Sequence, residues 1–548
     1  MISNAVDFIV IGAGSAGCVV ANRLSAAGGG SVLMLEAGGP SRGLRYRLPL
    51  AATTLWFDPR SSWLLMSEPE PGLGGRRIPV PRGKALGGSS AINGTIYNRG
   101  SPEDYDRWRD AGLAGWDYQS LLPYFRRIES HWRGADGEHG GTGEVAVTPL
   151  SRRSPLTPPV LEAARQMGFP VTEDFIAQPV GIGLPDLNVD RRGRRVSAAD
   201  AFLEPIRGRT SLSIQTGAQV LRVLFDGRRA VGVEYNHDGV RRIAHANREV
   251  LLCGGAIASP QLLLLSGIGN ADELRTLDIP VVHDLPAVGQ NLNDQPGASF
   301  EIRTQMPLTL LRSLRIDRFV GNMLQWALGW GGVGAGPPIV AAGSLRTEAG
   351  SGPPDLRLNV AATTMAAKIW YPGFSGRQDH KLLVSVAVAH PESRGSLRLA
   401  SADPESPPRI LYNLLTAGHD IARLRRFYKL AHEFIRQPAL AGVVGDVTRP
   451  AAPPANDTEL DAYLRLVTGT TSHPMGSCRM GSDAASVVDL QCRVRGLERV
   501  RVVDASVFPG QISGNPHSAV MMLGDRIADA ILGRPPLADA QPQSQNRP

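Results

Sequence analysis

Apolar positions in the first forty residues fall into two unbroken runs separated by a helical stretch. Residues 7–11 (DFIVI) form the first run. A short run of this kind suits a strand covered on both faces, as in a parallel sheet. In residues 18–26, Val19, Val20 and Leu24 recur at helical spacing, and Gly28-Gly29-Gly30 stops the helix. Residues 31–35 (SVLML) form the second buried strand, which ends at Glu36. The segment therefore reads as one βαβ unit.

Residues 40–110 are irregular, with Gly or Pro every few positions. Alternating patterns then predict strands at 212–216, 220–225, 230–235 and 249–253, with a turn at Asp226-Gly227. A helix follows at 257–266. Between 300 and 450, strand-like segments at 355–360, 381–389 and 395–399 alternate with loops, and a helix is expected at 420–436. The chain returns to α/β style with a buried strand at 500–504 and a helix at 518–532. Residues 536–548, rich in Pro, Gln and Ala, are expected to be a disordered tail. No internal repeat is visible.

Composition narrows the class. The 548 residues are 42% hydrophobic and 20% charged, ordinary values for a globular chain. The 62 glycines and 42 prolines lack a G-X-Y period and imply many tight turns rather than a long helical bundle. The net charge of +7 raises nucleic acid as a partner. Arginines interleave with acids, however, and the densest basic run, Arg191 to Arg195, is short. A solvated arginine-rich surface is the favoured reading, with no nucleic acid. Cys18, Cys253, Cys478 and Cys492 show no CxxC or metal-type spacing, and HExxH is absent, so no metal site is expected. Reduced core thiols and the absence of a basic leader suggest a cytoplasmic protein. No stretch approaches the roughly 20 apolar residues of a membrane span.

Gly12, Gly14 and Gly17 follow the first strand directly. The first glycine makes the tight turn, the second lets a pyrophosphate approach the backbone, and the third allows close helix–strand packing. Glu36 stands where a carboxylate accepts ribose hydroxyls. A glycine triplet alone says little. Strand, glycines, helix, strand and terminal acid together point to a dinucleotide, without separating NAD from FAD.

Eight stretches along the chain, the glycine segment and its second strand among them, bear on that choice. They are residues 7–17 (DFIVIGAGSAG), 35–39 (LEAGG), 82–94 (RGKALGGSSAING), 251–269 (LLCGGAIASPQLLLLSGIG), 288–294 (VGQNLND), 393–399 (SRGSLRL), 473–481 (HPMGSCRMG) and 497–509 (LERVRVVDASVFP). In this order they resemble the glucose–methanol–choline (GMC) oxidoreductase family, over roughly residues 5–533, and within it the choline-dehydrogenase-like, alcohol-oxidising branch. The resemblance implies FAD. It implies that Gly12, Gly14, Ser15, Gly17, Glu36 and Ala37 hold the ADP half. Gly88, Ser89, Asn93, Gly94 and Ile96 would follow the diphosphate and flavin. Val220 would offer backbone to adenine. Asp504 and Ala505 would approach the ribityl chain, with His517 and Ser518 also at the cofactor. Some relatives attach FAD through a histidine where this chain has Ile92, so non-covalent FAD is expected.

His473 and His517 match the family's active-site pair. Alcohol oxidation sends a hydride from carbon to flavin and a proton from oxygen to a base. Histidine titrates near neutrality and suits that base. His473 is expected to be the base, and His517 to orient the substrate oxygen. Two positions depart from the choline-oxidising pattern, Ala341 in place of a carboxylate and Asn359 in place of a histidine, and Ser472 stands where many relatives have an aromatic residue. They imply a substrate pocket for a neutral, bulky or aromatic primary alcohol. Gln295 also replaces a usual histidine. The electron acceptor, O2 or a quinone, stays open, as does the oligomeric state. A hydroxynitrile-lyase-like reaction, a choline-type dehydrogenase and a non-catalytic flavin protein are the alternatives.

The expected fold is α/β, with an antiparallel α+β substrate part. A Rossmann-like FAD domain (1–155, 195–298 and 465–535) interleaves with an antiparallel-sheet substrate domain (156–194 and 299–464).

Overall fold

The computed structural model describes residues 5–150, 154–347, 352–374 and 378–538. Two seven-stranded sheets organise the chain. In the first, strand Ala5–Ile11 lies between Val32–Glu36 and Val240–Leu252, parallel to both. Leu212–Thr216 pairs with Val32–Glu36, and Val500–Val502 with the end of Val240–Leu252, again in parallel. The apolar runs are covered on both faces, as their continuity predicts: Phe8, Ile9, Val10 and Met34 have no exposed surface. Strand Val240–Leu252 is longer than the expected 249–253. Its first half leaves the layered core and pairs antiparallel with Arg229–His237, where Val240 and Ile243 are exposed and interspersed with Arg241, Arg242 and His245, so no unbroken apolar run marks it.

Helix Ser15–Leu24 packs between this sheet and the C-terminal helix Pro516–Ile531. A Cβ on Gly524 would sit 2.9 Å from the Ala16 carbonyl oxygen, so glycine sets the closeness of that contact. Asp525, fully buried on the C-terminal helix, is paired with Arg23 at 2.7 Å and Arg127 at 2.6 Å. Removing one member of such a pair strands buried charge, which costs about 3–5 kcal/mol.

The second sheet is antiparallel, in the order Val444–Arg449, Pro296–Thr304, Lys381–Val388, Leu356–Ala361, Ile339–Leu345, Gly181–Gly183. Its side chains alternate with period two. Phe300, Ile302, Val384, Leu358 and Val360 face the core, where Phe300 meets Tyr428 of helix Gly418–Phe434 at 5.3 Å between ring centroids. Ser299, Arg357, Asn359 and Ser385 take the other face and look into a cavity.

Most expected elements are present within two or three residues of their expected ends. Leu537, in the expected tail, donates to Tyr124 Oη at 3.1 Å and so is held on the body; residues 539–548 lie outside the described residues. The four cysteines are buried thiols.

Candidate active site

A cavity of about 830 Å³ lies between the two sheets, within the size range of sites that enclose a whole ligand. Its nucleotide end is made where parallel strands stop. Gly12, Gly14, Ser15, Glu36, Ala37, Val220, Asp504 and Ala505 all line it. Gly12 has φ +94°, and a Cβ there would stand 2.7 Å from the Cys253 carbonyl oxygen. Gly17 does not line the cavity; it packs on the Gly12 carbonyl, which is the close approach its position calls for. No side chain caps helix Ser15–Leu24, so its first N–H groups are free to face an anion.

Two carboxylates anchor this end. Glu36 accepts from Ala13 N at 2.9 Å and Gly38 N at 2.8 Å, while burial pushes its pKa up to about 6. Asp504 accepts from Gly255 N at 2.8 Å, Ser259 Oγ at 2.5 Å and Ser506 N at 2.8 Å, and burial raises its pKa too.

A further lining stretch begins at the short helical turn Gly88–Ala91. Gly88, Ser89, Asn93, Gly94 and Ile96 line the cavity. Gly88 has φ +53°, and a Cβ would fall 2.8 Å from Gly14 Cα, so only a bare backbone fits. Ile92 also lines the cavity and offers no nucleophile for a covalent flavin bond. Open N–H groups, hydroxyl acceptors and glycine-lined backbone fit a dinucleotide.

The other end, which holds the expected base His473 and is called the catalytic end for that expectation, draws on four distant stretches. His473 N donates to the Asp294 carboxylate, 3.0 Å from each oxygen. The Nδ1 of His473 lies 3.0 Å from Arg357 Nη1, 3.0 Å from Thr471 Oγ1 and 3.1 Å from Gln295 Oε1. Gln295 donates its amide hydrogens to the Ala389 and Ile512 carbonyls at 3.0 and 2.9 Å. Its Oε1 is thereby fixed as an acceptor toward His473 and Arg357, the latter at 2.8 Å. Removal from water, with the Arg357 and Arg82 guanidiniums close by, holds His473 well below the ordinary histidine pKa. The imidazole is therefore neutral near pH 7. Its Nδ1 is taken up, which leaves Nε2 without a partner among the described residues.

Arg357 also donates to Asn515 Oδ1. Asn515 thus joins His473 through one guanidinium. His517, expected to be the second catalytic residue, is placed differently. Its Nδ1 lies 2.8 Å from Ser15 Oγ, at the helix that begins the nucleotide end. Burial and Arg195 lower its pKa to about 4. His517 lines the cavity, but the residue sharing Arg357 with His473 is Asn515. Ser518 turns away from the cavity and donates to the Asn98 carbonyl.

Asn359 and Ser472 line the cavity, whereas Ala341 does not. Ala341 stands opposite Val360 on the core face of its strand, while Ala342, opposite Asn359, lines a small side pocket. One residue of register decides the face, so the expected pocket role of Ala341 is corrected. Arg357 was missed at the sequence level. Its signal was the polar pair Arg357 and Asn359 alternating with Leu356, Leu358 and Val360.

GMC oxidoreductase family models match residues 6–297 and 391–524. The chain belongs to the GMC oxidoreductase family. It is 42% identical over 539 residues to the oxygen-dependent choline dehydrogenase of Chromohalobacter salexigens, covering 97% of this chain and 96% of that one. It is 40% identical over 542 residues to the mitochondrial choline dehydrogenase of Mus musculus, covering 97% and 90%. Among solved structures, pyridoxine 4-oxidase from Mesorbium loti superposes with TM-score 0.85 at 29% identity, over 96% of this chain and 98% of that one. As a GMC oxidoreductase the protein is an FAD-dependent enzyme acting on CH–OH donors. Among the described residues no helix is long and apolar enough to cross a membrane.

Proposed function

We propose that this GMC oxidoreductase converts a non-cationic, bulky or aromatic primary alcohol to its aldehyde, with His473 as base and FAD held non-covalently. The observation that carries this reading is the neutral His473, with Nδ1 engaged and Nε2 free. Bound FAD supplies the hydride acceptor. The hydroxyl proton passes to His473 Nε2. Only the tautomer with its proton on Nδ1 leaves Nε2 basic, and the fixed Gln295 Oε1 is the acceptor for that proton. Asn515 orients the substrate oxygen, and Arg357 disfavours a premature imidazolium.

The acids lining the cavity speak against a cation. Glu36 and Asp504 lie at the nucleotide end, and Glu405 lies in the 404–408 loop, whose carbonyls meet Gln219 and Gln261. Among the described residues, none lines the wall around His473. Trp56 and Trp63 line the cavity and give an aromatic ring surface to pack on. The solved relative named for pyridoxine adds an aromatic primary alcohol as precedent. Choline is the second reading, favoured by the relatives named for it. The name of the Chromohalobacter salexigens relative, an oxygen-dependent dehydrogenase, also favours O2 as acceptor over a quinone.

Anaerobic flavin bleaching separates these readings. Aromatic primary alcohols should reduce the flavin, and choline should not. Reduction by choline alone would overturn the substrate reading. No reduction by any alcohol would overturn the reaction. Oxygen uptake compared with dye reduction then identifies the acceptor.

A further inference from the structure

Arg357 has a charge that the protein does not neutralise locally. Among the described residues no carboxylate lies within ion-pair distance of it, and its recorded partners are the neutral Gln295, His473, Gly514 and Asn515. Asp294 and Asp104 are the acidic influences on it, yet both are buried and engaged elsewhere, Asp294 by His473 N and shared with Arg82, Asp104 by Ser513 and His390. Arg82, on the same wall, spends its donors on the Pro81 and Ser472 carbonyls and likewise lacks a carboxylate partner among the described residues. The substrate end of the cavity therefore carries excess positive charge.

The guanidinium also has donors to spare. Its Nη1 hydrogens serve Gln295 Oε1 at 2.8 Å and the Gly514 carbonyl at 3.5 Å, and one Nη2 hydrogen goes to Asn515. The Nε hydrogen and the second Nη2 hydrogen have no acceptor among the described residues. Nε–H and Nη2–H are the edge of an arginine that takes a carboxylate with two parallel hydrogen bonds. Arg357, Asn359 and Ile96 line both the main cavity and a side pocket of about 40 Å³, walled further by Ala342, Gly343 and Ser513. That space is of the order of one small polar group, since one water occupies about 30 Å³.

We propose that Arg357 is a specificity residue for an anionic substituent, so that the substrate is a primary alcohol bearing a carboxylate. This rests on the alcohol-oxidase reading above and narrows its substrate class. The carboxylate would sit against Arg357 beside the side pocket, with the CH2OH group toward His473.

The test uses FAD-loaded enzyme and three matched probes: 4-(hydroxymethyl)benzoate, its methyl ester, and choline. Wild type should favour the acid over the ester by about 10- to 100-fold in kcat/KM, the effect expected of a charge-assisted hydrogen bond. R357Q should bring that acid/ester ratio to about one, and R357K should leave it in between, since it keeps the charge and loses the fork. Binding is read separately with the unreactive 4-methylbenzoate and 4-methylbenzamide, followed by the flavin absorbance shift. The acid should bind more tightly than the amide in wild type, and the difference should vanish in R357Q. A ratio near or below one in wild type, or a ratio unchanged in R357Q, would overturn the proposal. Equal loss for acid and ester in R357Q would assign Arg357 to His473 or the flavin instead. If no alcohol is oxidised, the reaction reading fails, and the inert acid's affinity still decides the role of Arg357.

Discussion

At its nucleotide end the cavity presents backbone; at its catalytic end it presents side chains. On the proposed reading, Gly12, Gly14 and Gly88 would admit the cofactor because they lack Cβ atoms, with two acids and a helix terminus completing the cradle. The catalytic end instead converges Asp294, Gln295, Arg357, His473 and Asn515 from separate strands and loops. The first end tolerates little change of shape. The second tolerates shape changes but depends on where protons and charges sit.

The largest effect expected from this contrast is at Gly88. Gly88→Val puts a branched side chain against Gly14 in left-handed backbone, so purified protein should lose its flavin absorbance altogether. Full yellow colour in that variant would break the account of the nucleotide end. At the other end, Asn515→Ala should keep FAD and lower the flavin reduction rate by about 100-fold, the lower range for a proton-handling or oxyanion partner. A rate within a few-fold of wild type would remove Asn515 from the site.

How much of this was legible from sequence follows the same divide. The part of the nucleotide end from Gly12 to Glu36 is a contiguous pattern of strand, glycines, helix, strand and acid, whereas Gly88, Val220 and Asp504 come from distant stretches and were reached only through the resemblance. The catalytic end was read only in part. His473 stood out beside Pro474 and Gly476, but Arg357 lies 116 residues away and meets it only because two strands pair in a particular register. The choice of His517 over Asn515 turned on two residues at the start of one helix. A hydrogen bond to Ser15, invisible in sequence, draws His517 to the nucleotide end. Ala341 failed for a similar reason, since a strand's faces alternate and a bulge between Ile339 and Ala341 resets the count.

A pH profile sharpens the contrast further. As the proposed base, His473 would have to be unprotonated, and its pKa lies well below the usual value. The flavin reduction rate should therefore stay flat as pH falls from 8 through 6.5 and decline only in more acidic solution. In R357Q one of the charges holding that pKa down is gone, so the acidic limb should move to higher pH. A wild-type limb centred near 6.5 would contradict the neutral, shielded imidazole.

The smallest effect is at Glu36. Glu36→Gln keeps the shape and loses a charged acceptor, so FAD affinity should fall by about 10-fold, as expected for a charge-assisted hydrogen bond. With its pKa near 6, the wild-type carboxylate should hold FAD less tightly as pH drops below 6, and the variant should lack that dependence. The rate of flavin reduction in FAD-saturated variant should be unchanged, because Glu36 belongs to the other end.

The most direct test compares two histidines in one experiment. Anaerobic rapid mixing of FAD-loaded His473→Ala and His517→Gln with a reactive primary alcohol reads the reduction step alone. The expected result is a loss of about 100- to 10,000-fold for His473→Ala, the range for removing a general base, and at most about 10-fold for His517→Gln, which gives up only a hydrogen bond to Ser15. A severe loss in His517→Gln with near-normal reduction in His473→Ala would contradict it.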